Sequence, residues 1–238
     1  MENNFPQPKR AMVVTAHPDD TEFGAAGIVA LWAAQGTEVT YVIVTDGSKG
    51  SSDSSMTPEK LTKLRKNEQT AAANILGVKN IVFLGMPDGE VRNDYNLREK
   101  VVREIRKYKP EVLITHDPTT RIFRNSYLNH TDHRVVGDTV LDAVFPLARD
   151  RMNFSEHEAD GLEPHAVTDI FLMFTSEPNY WVDISTTIDK KIKALQKHES
   201  QVGDPVKLSE RILQRAAERA EHVSFMYAET FRRVRLPR

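Results

Sequence analysis

Two short stretches of this chain carry side chains at spacings that chemistry can use. The first is His17-Pro18-Asp19-Asp20. A proline pushes the residue before it away from helical angles, so the chain must turn at His17. Such a turn lets His17 and Asp20 converge on one ion while Asp19 points elsewhere. Imidazole plus carboxylate, without thiolate, suits a catalytic zinc, which takes three protein ligands and keeps one position open. The second stretch is Asn129-His130-Thr131-Asp132-His133. If a helix begins there, His130 and His133 lie three residues apart on one face. One of them can ligate a metal while the other reaches a substrate, and Asp132 can fix the tautomer and orientation of an imidazole. Each stretch alone also reads as plain surface structure, a turn with capping acids or a solvated first helical turn. Their weight lies in the pairing.

The surrounding elements have to bring the two stretches together. Ala11 to Ala16 is a short apolar run, as a strand buried on both faces requires. A helix is expected from about Phe23 to Gln35, closed by Gly36, and a second strand from Val39 to Val44. A Ser-rich loop over 48–55 leads into Thr57-Pro58-Glu59-Lys60, a capping Thr with Pro at the first helical position, and that helix should stop at Gly77. Ile81–Leu84, Val112–Thr115, Ala166–Phe174 and Tyr180–Ile184 predict further strands. Leu97–Lys107, Asp132–Leu147, Asp189–Gln201 and Ser209–Val223 predict helices, with a loop over 116–130. Repeated β-α units predict an α/β fold, a mostly parallel sheet with helices on both faces. No linker divides the chain, so a single domain over 1–238 is expected. In such sheets ligands bind beyond the carboxyl ends of strands, where the strand order reverses. Both chemical stretches follow predicted strands, the first and the fourth.

Composition narrows the chemistry further. There is no cysteine, which excludes disulfides, iron–sulfur clusters and thiolate zinc sites and leaves His and carboxylates as the metal ligands. With 32 Lys plus Arg against 34 Asp plus Glu, the net charge of −2 gives no reason to expect nucleic acid or an acidic membrane as partner. No apolar run approaches the roughly 20 residues that span a bilayer, so no membrane span is expected. The opening MENNFPQPKR has no apolar signal core, and a cytoplasmic location is the expectation.

The segment Ala16-His17-Pro18-Asp19-Asp20-Thr21-Glu22-Phe23-Gly24, with His130-Thr131-Asp132-His133 downstream, resembles the PIG-L/LmbE-like zinc-dependent N-deacetylases. The resemblance covers nearly the whole chain. Thr45-Asp46-Gly47, Arg65 with Glu68 ahead of Ala71-Ala72, Leu84-Gly85-Met86-Pro87-Asp88-Gly89, Thr115-His116-Asp117-Pro118 and Val182-Asp183-Ile184-Ser185 follow in the family's order. The resemblance implies a Rossmann-like fold, one Zn2+ per chain on His17, Asp20 and His133, Asp19 as general base, and His130 stabilising a tetrahedral intermediate. It implies hydrolysis of the acetamide of an N-acetylglucosamine-type compound, releasing acetate and a free amine. Other divalent metals fit such a ligand set as well, and a homo-oligomer is compatible with it. Two departures touch positioning rather than ligands: Thr21 stands where members often have an acid, and Thr131 where they often have Pro. Tyr127 lies one step too early for the substrate-contacting Tyr of some members, so that role is not carried over.

Other residues carry less. By resemblance Arg65 binds a substrate hydroxyl or phosphate and Asp88 a sugar hydroxyl, while a solvated helix Arg and a turn-forming Asp explain them equally. His116 and Asp117 belong at most behind the site, and His157, His165, His198 and His222 have no partner at ligand spacing. A nucleotide-dependent oxidoreductase would share the fold, but the first turn lacks G-x-G-x-x-G and puts acids where a pyrophosphate would sit. A noncatalytic binding protein would have no use for Asp19. The alternative is a zinc amidase of the same family that cleaves a larger amide, such as a thiol-glycoside conjugate or acylated glycopeptide.

Overall fold

A computed structural model describes residues 6–123 and 125–237. At its centre is a seven-stranded sheet built on β1 (Arg10–Thr15), flanked by β2 (Glu38–Thr45) and β4 (Val112–His116), both parallel to it. With β3 (Asn80–Met86), β7 (Asp169–Met173), β8 (Tyr180–Asp183) and β9 (Ala228–Arg235), the order is β3-β2-β1-β4-β7-β9-β8. The chain steps outward from β1 through β2 to β3, then crosses back to place β4 on the other side of β1. That reversal is the crevice position expected from the β-α repeats.

Alternating side chains of the sheet feed two cores, since both faces are covered. Val13, Tyr41, Ile43, Ile114 and Phe171 pack with α2 (Ala26–Ala34), α3 (Pro58–Leu76), α6 (Ile188–Leu195) and α8 (Pro205–Ala220). Met12, Val14, Val42, Leu113 and Leu172 pack with α4 (Tyr95–Tyr108) and α5 (Thr131–Asp142). The capping signals of α3 are realised: the Thr57 side chain accepts from Lys60 N, and Gly77 ends the helix at φ 83°. Among the described residues no helix is long and apolar enough to cross a membrane.

Five expectations need correction. The helix expected over 23–35 is two, α1 (Asp20–Gly24) and α2, broken at Ala25. The break is set by Glu229, fully buried, whose carboxylate accepts from Gly27 N (2.8 Å) and Ile28 N (2.9 Å) at the start of α2. The loop over 116–130 contains a small hairpin of β5 (Ile122–Phe123) and β6 (Tyr127–Leu128). The helix expected to reach Leu147 ends at Asp142 and continues as a wider turn around Pro146, which has no N–H to extend it. The helix expected over 189–201 breaks after α6 and resumes as the single turn α7 (Glu199–Val202). β9 has no counterpart in the expected elements. Its charged positions are absorbed by partners: Arg233 donates to Asp169 (2.7 Å) and its guanidinium lies over the rings of Phe171 and Tyr180.

Glu229 also meets the buried Lys191 ammonium at 2.6 Å. Removing one partner leaves the other charge buried alone, so Glu229→Gln is expected to destabilise the fold by about 3–5 kcal/mol. In a Lys191→Met background the same change should cost less, because the stranded charge is gone. Denaturant unfolding of the three variants checks this, and equal losses in both backgrounds would contradict it.

Candidate metal and catalytic site

The turn after β1 is organised by its own residues. Asp20 Oδ2 accepts from His17 N at 2.7 Å, closing a loop over Pro18 and Asp19. Asp19 caps α1 with φ 91° and ψ −24°, a left-handed conformation that Asp and Asn tolerate better than most residues. From the other side, α5 starts on His130, whose Nδ1 accepts from Asp132 N at 3.2 Å. Gly137 lets α5 settle against the end of β4: a Cβ there would lie 2.6 Å from the His116 carbonyl oxygen. The two stretches therefore meet at the reversal between β1 and β4.

His17, Asp20 and His133 bring one ligand atom each into a single group. His17 Nδ1 lies 3.4 Å from Asp20 Oδ2 and 3.3 Å from His133 Nε2, and His133 Nε2 lies 3.1 Å from Asp20 Oδ1. A tetrahedron with metal–ligand bonds of about 2.0–2.1 Å has edges of about 3.3–3.4 Å, so the residues fit a zinc-sized ion with one corner open. A second group, His17, Asp88 and His130, also gathers donor atoms within 4.8 Å. There Asp88 Oδ1 faces His17 Nε2 at 3.2 Å.

The outer nitrogens are held by specific acceptors. His17 Nε2 faces Asp88 Oδ1 at 3.2 Å and Asp132 Oδ2 at 3.4 Å, which leaves Nδ1 turned toward the group. His133 Nδ1 donates to Asn129 Oδ1 at 3.1 Å, and Asn129 is fixed in that sense because its amide nitrogen donates to Thr120 O at 2.7 Å. Burial opposes a charge on His17, yet hydrogen bonds to Asp132, Asp20 and Asp88 outweigh it and push its pKa up to about 12. Burial likewise opposes the charge on Asp20, but the neighbouring His133 holds its carboxyl well below the usual range. The pocket is therefore a well for positive charge, whether a proton on His17 or a cation at the ligand group.

Around this group the expected residues take different positions. Asp19 is partly exposed, stands outside the ligand group, and is pushed up to about 7 by burial and the neighbouring Asp20, against Arg65, His198 and His17. His130 is exposed and drawn down by burial and by the His17 charge. Because its Nδ1 is an acceptor, its neutral ring carries the proton on Nε2. Asp132 is fully buried and also accepts from Gly89 N at 2.7 Å. Asp88 is buried on His17 and accepts from Lys49 N at 3.1 Å. Arg65 is placed inward, 4% exposed, donating to Pro18 O (2.7 Å) and Gly47 O (3.0 Å), with Asp19 Oδ2 at 3.5 Å.

Three site residues had no advance signal, or a weaker one. His116 is stacked on His133 with ring centroids 4.2 Å apart, and its Nε2 accepts from Ala16 N. Burial first, then the neighbouring His133, lowers it to about 4, so it is neutral. Its place at the end of β4 was the available clue. Asn129 sits four residues before His133, a helical spacing that marks it as a partner once α5 is known to start at His130. Gln69, buried on α3, accepts from Asp19 N at 2.9 Å, and nothing in its sequence context announces that.

Comparison with known proteins places this geometry among relatives. A family model described as PIG-L, GlcNAc-PI de-N-acetylase, matches residues 12–144. The diacetylchitobiose deacetylase of Thermococcus kodakarensis is 34% identical over 202 residues, 85% of this chain and 73% of that protein. The solved N,N′-diacetylchitobiose deacetylase from Pyrococcus horikoshii, in complex with an inhibitor, is similar with a TM-score of 0.90 at 30% identity, covering 98% of this chain and 86% of that one. The 4-carboxy-2-hydroxymuconate hydratase from Pseudomonas putida KT2440 is similar with a TM-score of 0.79 at 25% identity, covering 97% of each chain.

Metal binding would compete with the proton that these carboxylates favour on His17, so zinc affinity is expected to rise with pH by up to about tenfold per unit. Competition with a chelator between pH 6 and 8 measures it, and proton release follows from calorimetry in two buffers. Affinity independent of pH would contradict the carboxylate well. Asn129→Leu should weaken zinc binding by about 10–100-fold through loss of the His133 partner.

Proposed function

This chain belongs to the PIG-L, GlcNAc-PI de-N-acetylase family, and on that premise we propose that it is a zinc-dependent hydrolase that removes the acetyl group from an N-acetylglucosamine-type compound. The observation that supports this reading best is the division of labour in the first turn. Asp20 joins His17 and His133 in the ligand group, while the adjacent Asp19 stands beside it and outside it. A binding module has no need of that second carboxylate. The diacetylchitobiose deacetylases among the relatives support a sugar acetamide as the bond cut.

His17, Asp20 and His133 would hold the zinc ion, which would supply Lewis acidity and lower the pKa of a water to about 7. The rest is work for the protein's own groups. Asp19 accepts the proton of the attacking water, as a carboxyl poised near neutrality is suited to do. The oxygen adds to the acetamide carbon, and the negative charge gathering on the former carbonyl oxygen meets the Nε2–H of His130. The carbon–nitrogen bond then breaks, the nitrogen takes a proton, and acetate and a free amine result. Asp132 and Asp88 keep His17 in the tautomer that offers Nδ1 to the ion. Arg65, donating to Pro18 O and facing Asp19, acts in this reading on the base rather than on the sugar. One ion per chain and a single-domain, cytoplasmic enzyme complete the proposal.

Asp19→Asn should keep zinc and fold, because Asn is nearly isosteric and accepts the left-handed backbone. An amide cannot take the proton, so turnover is expected to fall by about 10²–10⁴-fold. Asp20→Asn should instead lose zinc. Elemental analysis and acetate release from a panel of N-acetylated amino sugars, with and without chelator, check both. Near-normal turnover in Asp19→Asn would move the base elsewhere. If wild type releases no acetate but cuts a larger amide, the amidase reading replaces this one, and if it only adds water to an unsaturated acid, a hydratase reading does.

A further inference from the structure

Asp19 is held in its left-handed conformation by more than its own turn. The peptide unit joining Pro18 to Asp19 is gripped at both ends by α3. Arg65 Nη2 donates to the Pro18 carbonyl at 2.7 Å, and Gln69 Oε1 accepts the Asp19 N–H at 2.9 Å. Arg65 and Gln69 are four residues apart on that helix and so present one face. Rotating Asp19 back to negative φ turns this peptide over and breaks both bonds.

The clamp has a backstop that sets its polarity. Gln69 Nε2 donates to both carboxylate oxygens of Glu22, at 3.0 and 3.1 Å, and Glu22 Oε2 faces His198 Nε2 at 3.2 Å. Gln69, Glu22 and His198 are each fully buried. A carboxylate accepts and cannot donate, so Glu22 forces the amide nitrogen of Gln69 toward itself and the amide oxygen toward Asp19 N–H. None of the three belongs to the ligand group and all are closed to solvent, which leaves their order unexplained by metal binding. We infer that Gln69, oriented by Glu22 and His198, is the positioning residue for the general base: it holds the Pro18–Asp19 peptide so that the Asp19 carboxylate faces the reacting water instead of the metal. The inference rests on Asp19 serving as the base in the function proposed above.

The test is Gln69→Met, which keeps the volume and removes the hydrogen bonds of the Gln69 amide to Asp19 N and to both Glu22 oxygens. With zinc loaded, kcat is expected to fall by about 10–100-fold, the size of effect that misplacing a catalytic group by an ångström produces, with KM and zinc content nearly unchanged. In an Asp19→Asn background the same substitution should add nothing, since the group it positions is already disabled. Glu22→Gln, which lets the Gln69 amide take either orientation, should give a smaller loss in the same direction and serves if Gln69→Met does not fold. A crystal structure of either variant, which needs no substrate, should show Asp19 out of the left-handed region. A folded, zinc-loaded variant with kcat within about twofold of wild type, an undiminished loss on top of Asp19→Asn, or Asp19 unmoved in the crystal would each overturn the inference. If wild type itself releases no acetate, the deacetylase reading fails separately, and the crystal structures alone decide whether Gln69 sets the Asp19 backbone.

Discussion

Asp20 reaches His17 and His133 only because Asp19 turns the chain at φ 91°. Two carboxylates adjacent in sequence are thereby sent to different tasks, one into the ligand group and one beside it. Extended or helical backbone separates neighbouring side chains in fixed ways, and neither supplies this particular divergence within a four-residue turn. Much of the structure serves that turn. Pro18 keeps His17 out of a helix, α3 presses Arg65 and Gln69 against the peptide between Pro18 and Asp19, and Glu22 fixes Gln69 from behind.

The electrostatics follow from the same crowding. Asp20, Asp88 and Asp132 all lie within 3.4 Å of a nitrogen of His17, and all three are buried. Buried carboxylates this close are tolerable only around positive charge. A proton on His17 meets that need, and a divalent ion at the His17, Asp20 and His133 group would meet it from the Nδ1 side. The outer hydrogen bonds then decide the chemistry. Carboxylates on His17 and the amide oxygen on His133 turn one lone pair of each ring toward the same point, while the capping bond on His130 turns its N–H outward. Three neighbouring histidines thus present their ring nitrogens in two different ways, set by the groups behind them.

Local signals carried much of the fold. The apolar runs of β1, β2 and β4, the caps of α3 and the β-α alternation were sufficient for a mostly parallel sheet, with both chemical stretches at strand ends. The parts that escaped depend on partners far away in sequence. Glu229 breaks the helix after Gly24 from about two hundred residues downstream, and β9 is a strand because β7 and β8 leave a gap between them, not because AETFRRVR alternates well. In the site, His17, Asp20 and His133 stood out because His-Pro-Asp-Asp and His-x-Asp-His are dense in ligand types. Asn129 and Gln69 carry ordinary amides whose roles exist only once the histidine and the peptide they hold are in place. Arg65 was visible as a charge near the site, but its inward direction was not.

The sharpest test of this division between neighbouring aspartates is where the ion sits. Anomalous scattering at the zinc edge from crystals of the zinc-loaded protein locates it without reference to any substrate. One peak is expected at bonding distance, about 2.0–2.1 Å for nitrogen and oxygen ligands, from His17 Nδ1, Asp20 and His133 Nε2, with Asp19 off the metal. A peak held by Asp19, or one placed among His17 Nε2, Asp88 and His130, would contradict it.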